Sequence, residues 1–321
     1  MTAAMTNITH IMLKSYTPPR VKRLINPSGG SCNIGEIDDT TVLKYPRIKE
    51  DMKRVQIEAK MLEVLGPHPR IVQSKGLTED GLLLEFMPNG NVYDYLSVHP
   101  DVPLHRRLAW CVQAAEAVAY IHSRRVVHCD IRHDNFLLDA NLDLKLADFQ
   151  GQHFSPTGAI VLDGGSCESA KAWLPRHPPD RCNVRTDLFA LGSALQFLIT
   201  GAEVFPDLVR SSETDDDIMR WFHETEPEIE RRFRAGEFPP ADEHVCAAVT
   251  ARCWRQLYTT ADQVVADLKA IQAAIARGES PETCVALPNE HDQPCGERWL
   301  YGLCEEGEHL ATPPSRNLIG F

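Results

Sequence analysis

An aspartate and an asparagine stand five residues apart in the stretch Val126-Val127-His128-Cys129-Asp130-Ile131-Arg132-His133-Asp134-Asn135-Phe136-Leu137-Leu138. An apolar pair leads into this polar turn, and an apolar run leads out of it. A second carboxylate follows at the end of another apolar run, Leu144-Lys145-Leu146-Ala147-Asp148-Phe149-Gln150-Gly151. Two short strands, each delivering a carboxylate at its edge, suit metal-assisted phosphoryl transfer, in which one carboxylate handles a proton and the other holds a cation. Taken alone, Asp130 and Asn135 read equally well as turn residues capping a loop.

Such groups need a scaffold large enough to hold them. At 321 residues the chain exceeds one small core and fits one bilobal unit or two domains. A net charge of −12 argues against a broad nucleic-acid surface. No run of 18 apolar residues occurs, so no membrane span is expected. The N-terminus lacks the charged and apolar regions of a signal peptide. The ten cysteines form no CxxC pair, and Cys111, Cys246 and Cys253 fall in apolar helical segments. They read as reduced intracellular thiols rather than a zinc site, and place the protein in the cytoplasm.

Residues 1–26 read as a loosely packed lead-in with a strand near Ile8 to Leu13. Gly29-Gly30-Ser31-Cys32-Asn33 and Asp38-Asp39-Thr40 read as turns around strands, the second leading into Thr41-Val42-Leu43-Lys44. A helix pattern runs from Lys49 to Leu65 and stops at Gly66-Pro67. Two strands follow, at Ile71 to Lys75 and at Leu82 to Phe86. The breaker cluster Met87-Pro88-Asn89-Gly90-Asn91 separates a strand-rich first lobe (27–86) from a helical second lobe (87–276). Helices are expected at Val92 to Val98, Leu104 to Ser123, Leu188 to Thr200, Asp215 to Trp221, His244 to Trp254 and Thr260 to Ala276. The segment after Asp148 reads as irregular, and residues 277–321 as a weakly ordered tail.

With this order of elements, the motifs together resemble a eukaryotic-type protein kinase over roughly residues 25–275. The resemblance implies an α+β, bilobal fold: a small antiparallel sheet with one main helix, then a larger helical lobe. His128-Cys129-Asp130-Ile131-Arg132-His133-Asp134-Asn135 resembles the catalytic loop H-R-D-L-K-x-x-N. By that likeness Asp130 is the base, Arg132 neutralises the migrating phosphoryl group, and Asn135 is a metal ligand. Asp148-Phe149-Gln150 resembles D-F-G, which makes Asp148 the second ligand for Mg²⁺. Gln150 stands where the family has glycine, and Gly151 is expected to take over the hinge.

The same resemblance makes Lys44 the lysine on the α and β phosphates of ATP and Glu58 its partner, chosen over Glu50 and Glu63 by family spacing. A strand-end lysine is more commonly a solvated one. The phosphate-covering loop is the poorest match. Pro27, Gly29 and Cys32 occupy its glycine positions, Gly30 adds one between, and Ile34 replaces the valine. Val42, Leu84, Glu85, Met87 and Leu137 would line the adenine site, and Asn91 a ribose contact. Asp187 resembles the aspartate that fixes the catalytic-loop backbone.

Two further departures belong together. Leu174-Pro175-Arg176 lacks the usual glutamate, and Tyr258 replaces the arginine that would pair with it, so no unpaired buried charge is left. Cys129 replaces the arginine that binds an activation-segment phosphate, so switching through that arginine is not expected. Ser155, Thr157, Ser166 and Ser169 lie in the segment concerned. The function implied is an ATP- and Mg²⁺-dependent kinase acting on a protein substrate, with serine or threonine favoured over tyrosine. The loop also resembles those of stand-alone fungal kinase-like proteins. The poor glycine loop and Gln150 motivate a second reading, a pseudokinase scaffold or allosteric partner. A small-molecule phosphotransferase is a third, but it lacks the Asp187 and Cys253-Trp254 blocks.

Overall fold

The computed structural model describes residues 16–26, 32–49, 51–176, 181–208, 215–239 and 244–289. The first lobe is a five-stranded antiparallel sheet carrying one helix. Its strands are β1 (Arg23–Asn26), β2 (Cys32–Asp38), β3 (Thr41–Pro46), β4 (Ser74–Leu77) and β5 (Leu82–Glu85), in the order β1-β2-β3-β5-β4. Strand β1 comes from the stretch read as a loose lead-in; it pairs with β2 and ties Arg23 to Glu36 at 2.7 Å. The strand expected at Ile8 to Leu13 lies outside the described residues, as do Gly29 and Gly30.

Central strand β3 is buried at every position, as befits a strand covered on both faces. Its register pairs Ile34 with Lys44 on one side, and Val42 with Leu84 on the other. Residues directly opposite one another, or two apart on one strand, share a face. Ile34, Val42, Lys44 and Leu84 therefore project to the same side. Helix α1 (Lys53–Leu65) lies beside the sheet and sends buried Glu58 inward. It begins at Lys53, not Lys49; ahead of it Asp51 N–H donates back to Ile48 O (2.9 Å).

Of the strand expected at Ile71 to Lys75, only Ser74 onward joins the sheet. Ile71 and Val72 instead pair with Leu146 of the second lobe, with Val72 N–H on Leu146 O at 2.9 Å. That lobe contains α2 (Val92–Val98) and α3 (Leu104–Ser123), and then the short strands β6 (Val126–Val127), β7 (Phe136–Leu138) and β8 (Leu144–Leu146). Next come β9 (Gln152–Phe154) and β10 (Ile160–Asp163), and helices α4 (Val184–Thr200), α5 (Asp215–Arg220), α6 (Glu226–Arg234), α7 (Ala247–Trp254) and α8 (Ala261–Ala276). Helix α3 packs on α4 and α8, and α4 on α7. At the last contact Gly192 is required, since a Cβ there would meet Cys253 Cβ at 2.7 Å.

Three further expectations are corrected. The segment after Asp148 contains β9 and β10, which join β6 in a three-stranded sheet, rather than being wholly irregular. A π-turn at Trp221–Thr225 leads from α5 into α6, a helix absent from the sequence reading. The first residues of the supposed tail are folded: a 3₁₀ turn spans Pro281–Thr283, and Val285 is buried against the main core. Residues 290–321 lie outside the described ones. Among the described residues no helix is long and apolar enough to cross a membrane.

Candidate active site

Lys44 Nζ stands 2.5 Å from Glu58 Oε2 and 2.5 Å from Asp148 Oδ1. Three elements meet there: β3, α1 and the turn after β8. Burial works against the ammonium, but Asp148 and Glu58 outweigh it and hold the Lys44 pKa above its ordinary value. Burial also opposes ionisation of Asp148, and there Lys44 wins and holds the carboxyl below its usual range. Burial pushes Glu58 up, with Lys44 pulling the other way. Glu63 is exposed, and Glu50 lies outside the described residues. Glu58 is thus the α1 carboxylate that meets the lysine, as the family spacing implied.

The catalytic-loop stretch is held from below by α4. Asp187, fully buried, accepts from His128 N–H (2.7 Å), Cys129 N–H (3.0 Å) and His122 Nε2 (3.0 Å). Cys129 and Asp148 both adopt the left-handed backbone region, each at φ 65. Such geometry costs a non-glycine residue energy and persists where its surroundings dictate it. For Cys129 the dictating group is Asp187. For Asp148 it is the bonding on either side, with Ala147 N–H on Asn135 O and Gln150 N–H on Asp148 O.

Asn135 Nδ2 donates to Asp130 O (2.8 Å) and Asp130 Oδ2 (3.2 Å). This leaves the Asn135 side-chain carbonyl as a ligand atom. Together with Asp148 it offers hard oxygen donors of the kind Mg²⁺ takes. Asp130 Oδ1 is buried without a hydrogen-bond partner, and burial lifts the Asp130 carboxyl to about 6. Arg132 is bonded to Asp134. His133 bridges Asp134 (3.1 Å) and Glu203 (2.8 Å), and Glu203 also meets Lys171 (2.7 Å).

Leu84 and Met87 are buried where β5 gives way to the second lobe, and Leu137 is the part-buried middle residue of β7. Asn91 pairs through its backbone with Leu137. Its side chain caps α2, accepting from Asp94 N–H at 2.7 Å, so a ribose contact would compete with that cap. The Glu85 carboxylate is held by Lys145 at 2.7 Å, so an adenine contact from this residue falls to its backbone.

Some working contacts were not visible in the sequence. Gln150, where the family has glycine, donates from Nε2 to Glu58 Oε2 at 3.2 Å. Gly151 has a different reason to be glycine than a hinge: a Cβ there would meet Val127 O at 2.2 Å. Arg176 is not left unpaired. Its Nη2 donates to Glu168 Oε2 at 2.9 Å, and Nη1 stands 2.9 Å from Oε1 as a charge contact, with the Glu168 side chain only 1% exposed. Cys182 also donates to Glu168 (3.4 Å), and its thiol, with burial, pushes the neighbouring Cys129 thiol far up, so Cys129 stays neutral. Tyr258 donates to Asp267 at 2.6 Å. No motif links these partners, so only their meeting in the fold reveals them.

Comparison with known proteins agrees with this geometry. A sequence model of the protein kinase domain matches residues 40–255. The chain belongs to the protein kinase family. Among its relatives, interleukin-1 receptor-associated kinase 3 of Mus musculus is 26% identical over 263 residues, which is 75% of this chain and 43% of the relative. Serine/threonine-protein kinase kin-29 of Caenorhabditis elegans is 30% identical over 165 residues, 49% of this chain and 20% of the relative. A serine/threonine-protein kinase-like protein of Arabidopsis thaliana is 36% identical over 160 residues, 46% of this chain and 44% of the relative. The chain spans less than half the length of each.

Proposed function

We propose that this protein transfers the γ-phosphoryl group of ATP, with Mg²⁺, to a hydroxyl of a protein substrate, serine or threonine in preference to tyrosine. The observation that carries the reading is the charged cluster at the lobe junction. Lys44 is fixed between Glu58 and Asp148, and Asn135 fixes Asp130 beside them. No chemical role is vacant. The substrate class leans on the serine/threonine names of the relatives.

Mg²⁺ and ATP would supply the phosphoryl group and the charge that neutralises it. Asp148 and the Asn135 carbonyl would hold the cation, and Lys44 the α and β phosphates. Val42, Leu84, Glu85, Met87 and Leu137 would enclose the adenine, with Asn91 at its edge and Gly29, Gly30 and Ile34 over the phosphates. Asp130 takes the proton of the substrate hydroxyl through Oδ1, the oxygen left without a partner. Arg132 sits two residues on, where its charge steadies the transferring group. We place this activity in the cytoplasm, on a set of ten cysteines that form no CxxC pair.

The rival reading, an inert scaffold, draws on the glycine loop, where Pro27 and Cys32 fill glycine positions. A titration with ATP separates the two. The kinase raises its melting temperature with ATP in the presence of Mg²⁺ and phosphorylates generic protein substrates, while Asp130→Asn keeps the thermal shift and loses transfer. No shift in either condition, with wild type and variant equally inactive, leaves the scaffold.

A further inference from the structure

We propose that Gln150 is a positioning residue: its side-chain amide holds Glu58 in line for Lys44 and so keeps α1 docked on the cleft. Its catalytic consequence rests on the kinase reading above; the tether itself does not. Glu58 reaches the cleft from α1 with its side chain 1% exposed, and Oε2 accepts from both Lys44 and Gln150. Lys44 is a divided partner, since it stands equally close to Asp148. A buried carboxylate that depends on a shared ammonium is poorly satisfied. Gln150 adds a neutral donor that competes with neither charge.

The residue type fits this task. Glycine has no donor, and glutamate would set a second carboxylate against Glu58. The residue is held firmly enough to act as an anchor. Its N–H donates to Asp148 O (3.0 Å) and its carbonyl accepts from Ser166 N–H (3.1 Å). Gly164 lies so close that a Cβ there would meet Gln150 O at 2.3 Å. Gln150 is outside the left-handed region that Asp148 occupies, so its side chain costs no backbone strain. Moving α1 away then breaks bonds to two elements at once, β3 and the segment after Asp148.

Hydrogen–deuterium exchange on the full chain without nucleotide reads the tether directly. Gln150→Gly and Gln150→Met are compared with wild type, and each variant's melting curve shows that it folds. Both variants raise exchange in α1 about tenfold, the size of one lost bond to a buried charge, while α3 is unchanged. In turnover assays both raise KM for ATP more than they lower kcat. Gln150→Glu is worse than either. A Gln150→Met protein indistinguishable from wild type means that Gln150 only fills space and overturns the proposal, as does unchanged α1 exchange in Gln150→Gly. Raised α1 exchange in a protein that transfers no phosphate supports the tether and refutes only the kinase reading.

Discussion

On the proposed function, Asp130 is the residue whose environment most directly sets a rate. Burial lifts its carboxyl to about 6, against Arg132 and His128, which favour the charged form. A base must be deprotonated to accept a proton, so kcat/KM is flat above that value and falls tenfold per pH unit below it. Asp130→Asn removes the limb along with the activity, lowering kcat by about a thousandfold. A profile for the wild type without an acid limb near 6 counts against Asp130 as the base. The meeting of Lys44, Glu58, Asp130, Asn135 and Asp148 was legible because the motifs tie residue type to spacing. Gln150 and Arg176 were not legible. Their partners, Glu58 and Glu168, are fixed by how the chain folds back, and no local pattern announces them.

The segment between β8 and α4 is where element-scale behaviour is most unusual. Cys129 cannot bind a phosphate, and the Glu168–Arg176 pair supplies from within the segment the kind of charge contact that phosphorylation would add elsewhere. Activity is therefore expected to survive phosphatase treatment and the joint alanine substitution of Ser155, Thr157, Ser166 and Ser169. A loss above tenfold in a normally folded protein sinks that expectation. Arg176→Met strands a buried carboxylate and lowers stability by about 3 kcal/mol, measured by urea unfolding.

At α4 and α7, His244 donates from Nε2 to Gln196 (2.6 Å) and accepts at Nδ1 from Cys246 N–H (3.2 Å). Both ring nitrogens are used in the neutral form, and burial lowers the pKa from 6.5 to about 4. The folded state disfavours the proton, so stability is full above 6.5 and is lost as pH falls towards 4, on the order of 2 kcal/mol. His244→Gln flattens this dependence in unfolding curves taken across that range. The long helix α3 could be bounded from the sequence because its apolar-rich run is buried along most of its length. Helix α6 could not: it buries only Ile229 and Phe233, and its surface carries ion pairs such as Arg231–Glu228 and Arg234–Glu230. Strands β9 and β10 are short, and they exist through their partners.

For the whole molecule, the two lobes meet through the backbone pairing of residues 70–72 with Leu146 as well as through the chain itself. The first lobe contributes Lys44 and Glu58, the second Asp130, Asn135 and Asp148, so the site exists only while both are in place. The bilobal α+β architecture was legible because the five-stranded sheet precedes residues 87–91 and, among the described residues, every α-helix but α1 follows them. The outermost strand was missed because Arg23–Asn26 has little alternation and becomes a strand by pairing with β2.

The equal 2.5 Å reach of Lys44 to Glu58 and Asp148 has a thermodynamic consequence. The ammonium lies against the carboxylate that, on the proposed function, would hold a divalent cation. Taking up nucleotide and metal would then be a change of partners, with Lys44 turning to phosphate and Asp148 to the cation. Either ligand alone leaves one side of that exchange unmatched. Mg²⁺ and ATP should each tighten the other's binding beyond their association in free solution, and Asp148→Asn should abolish that mutual gain in calorimetric titrations.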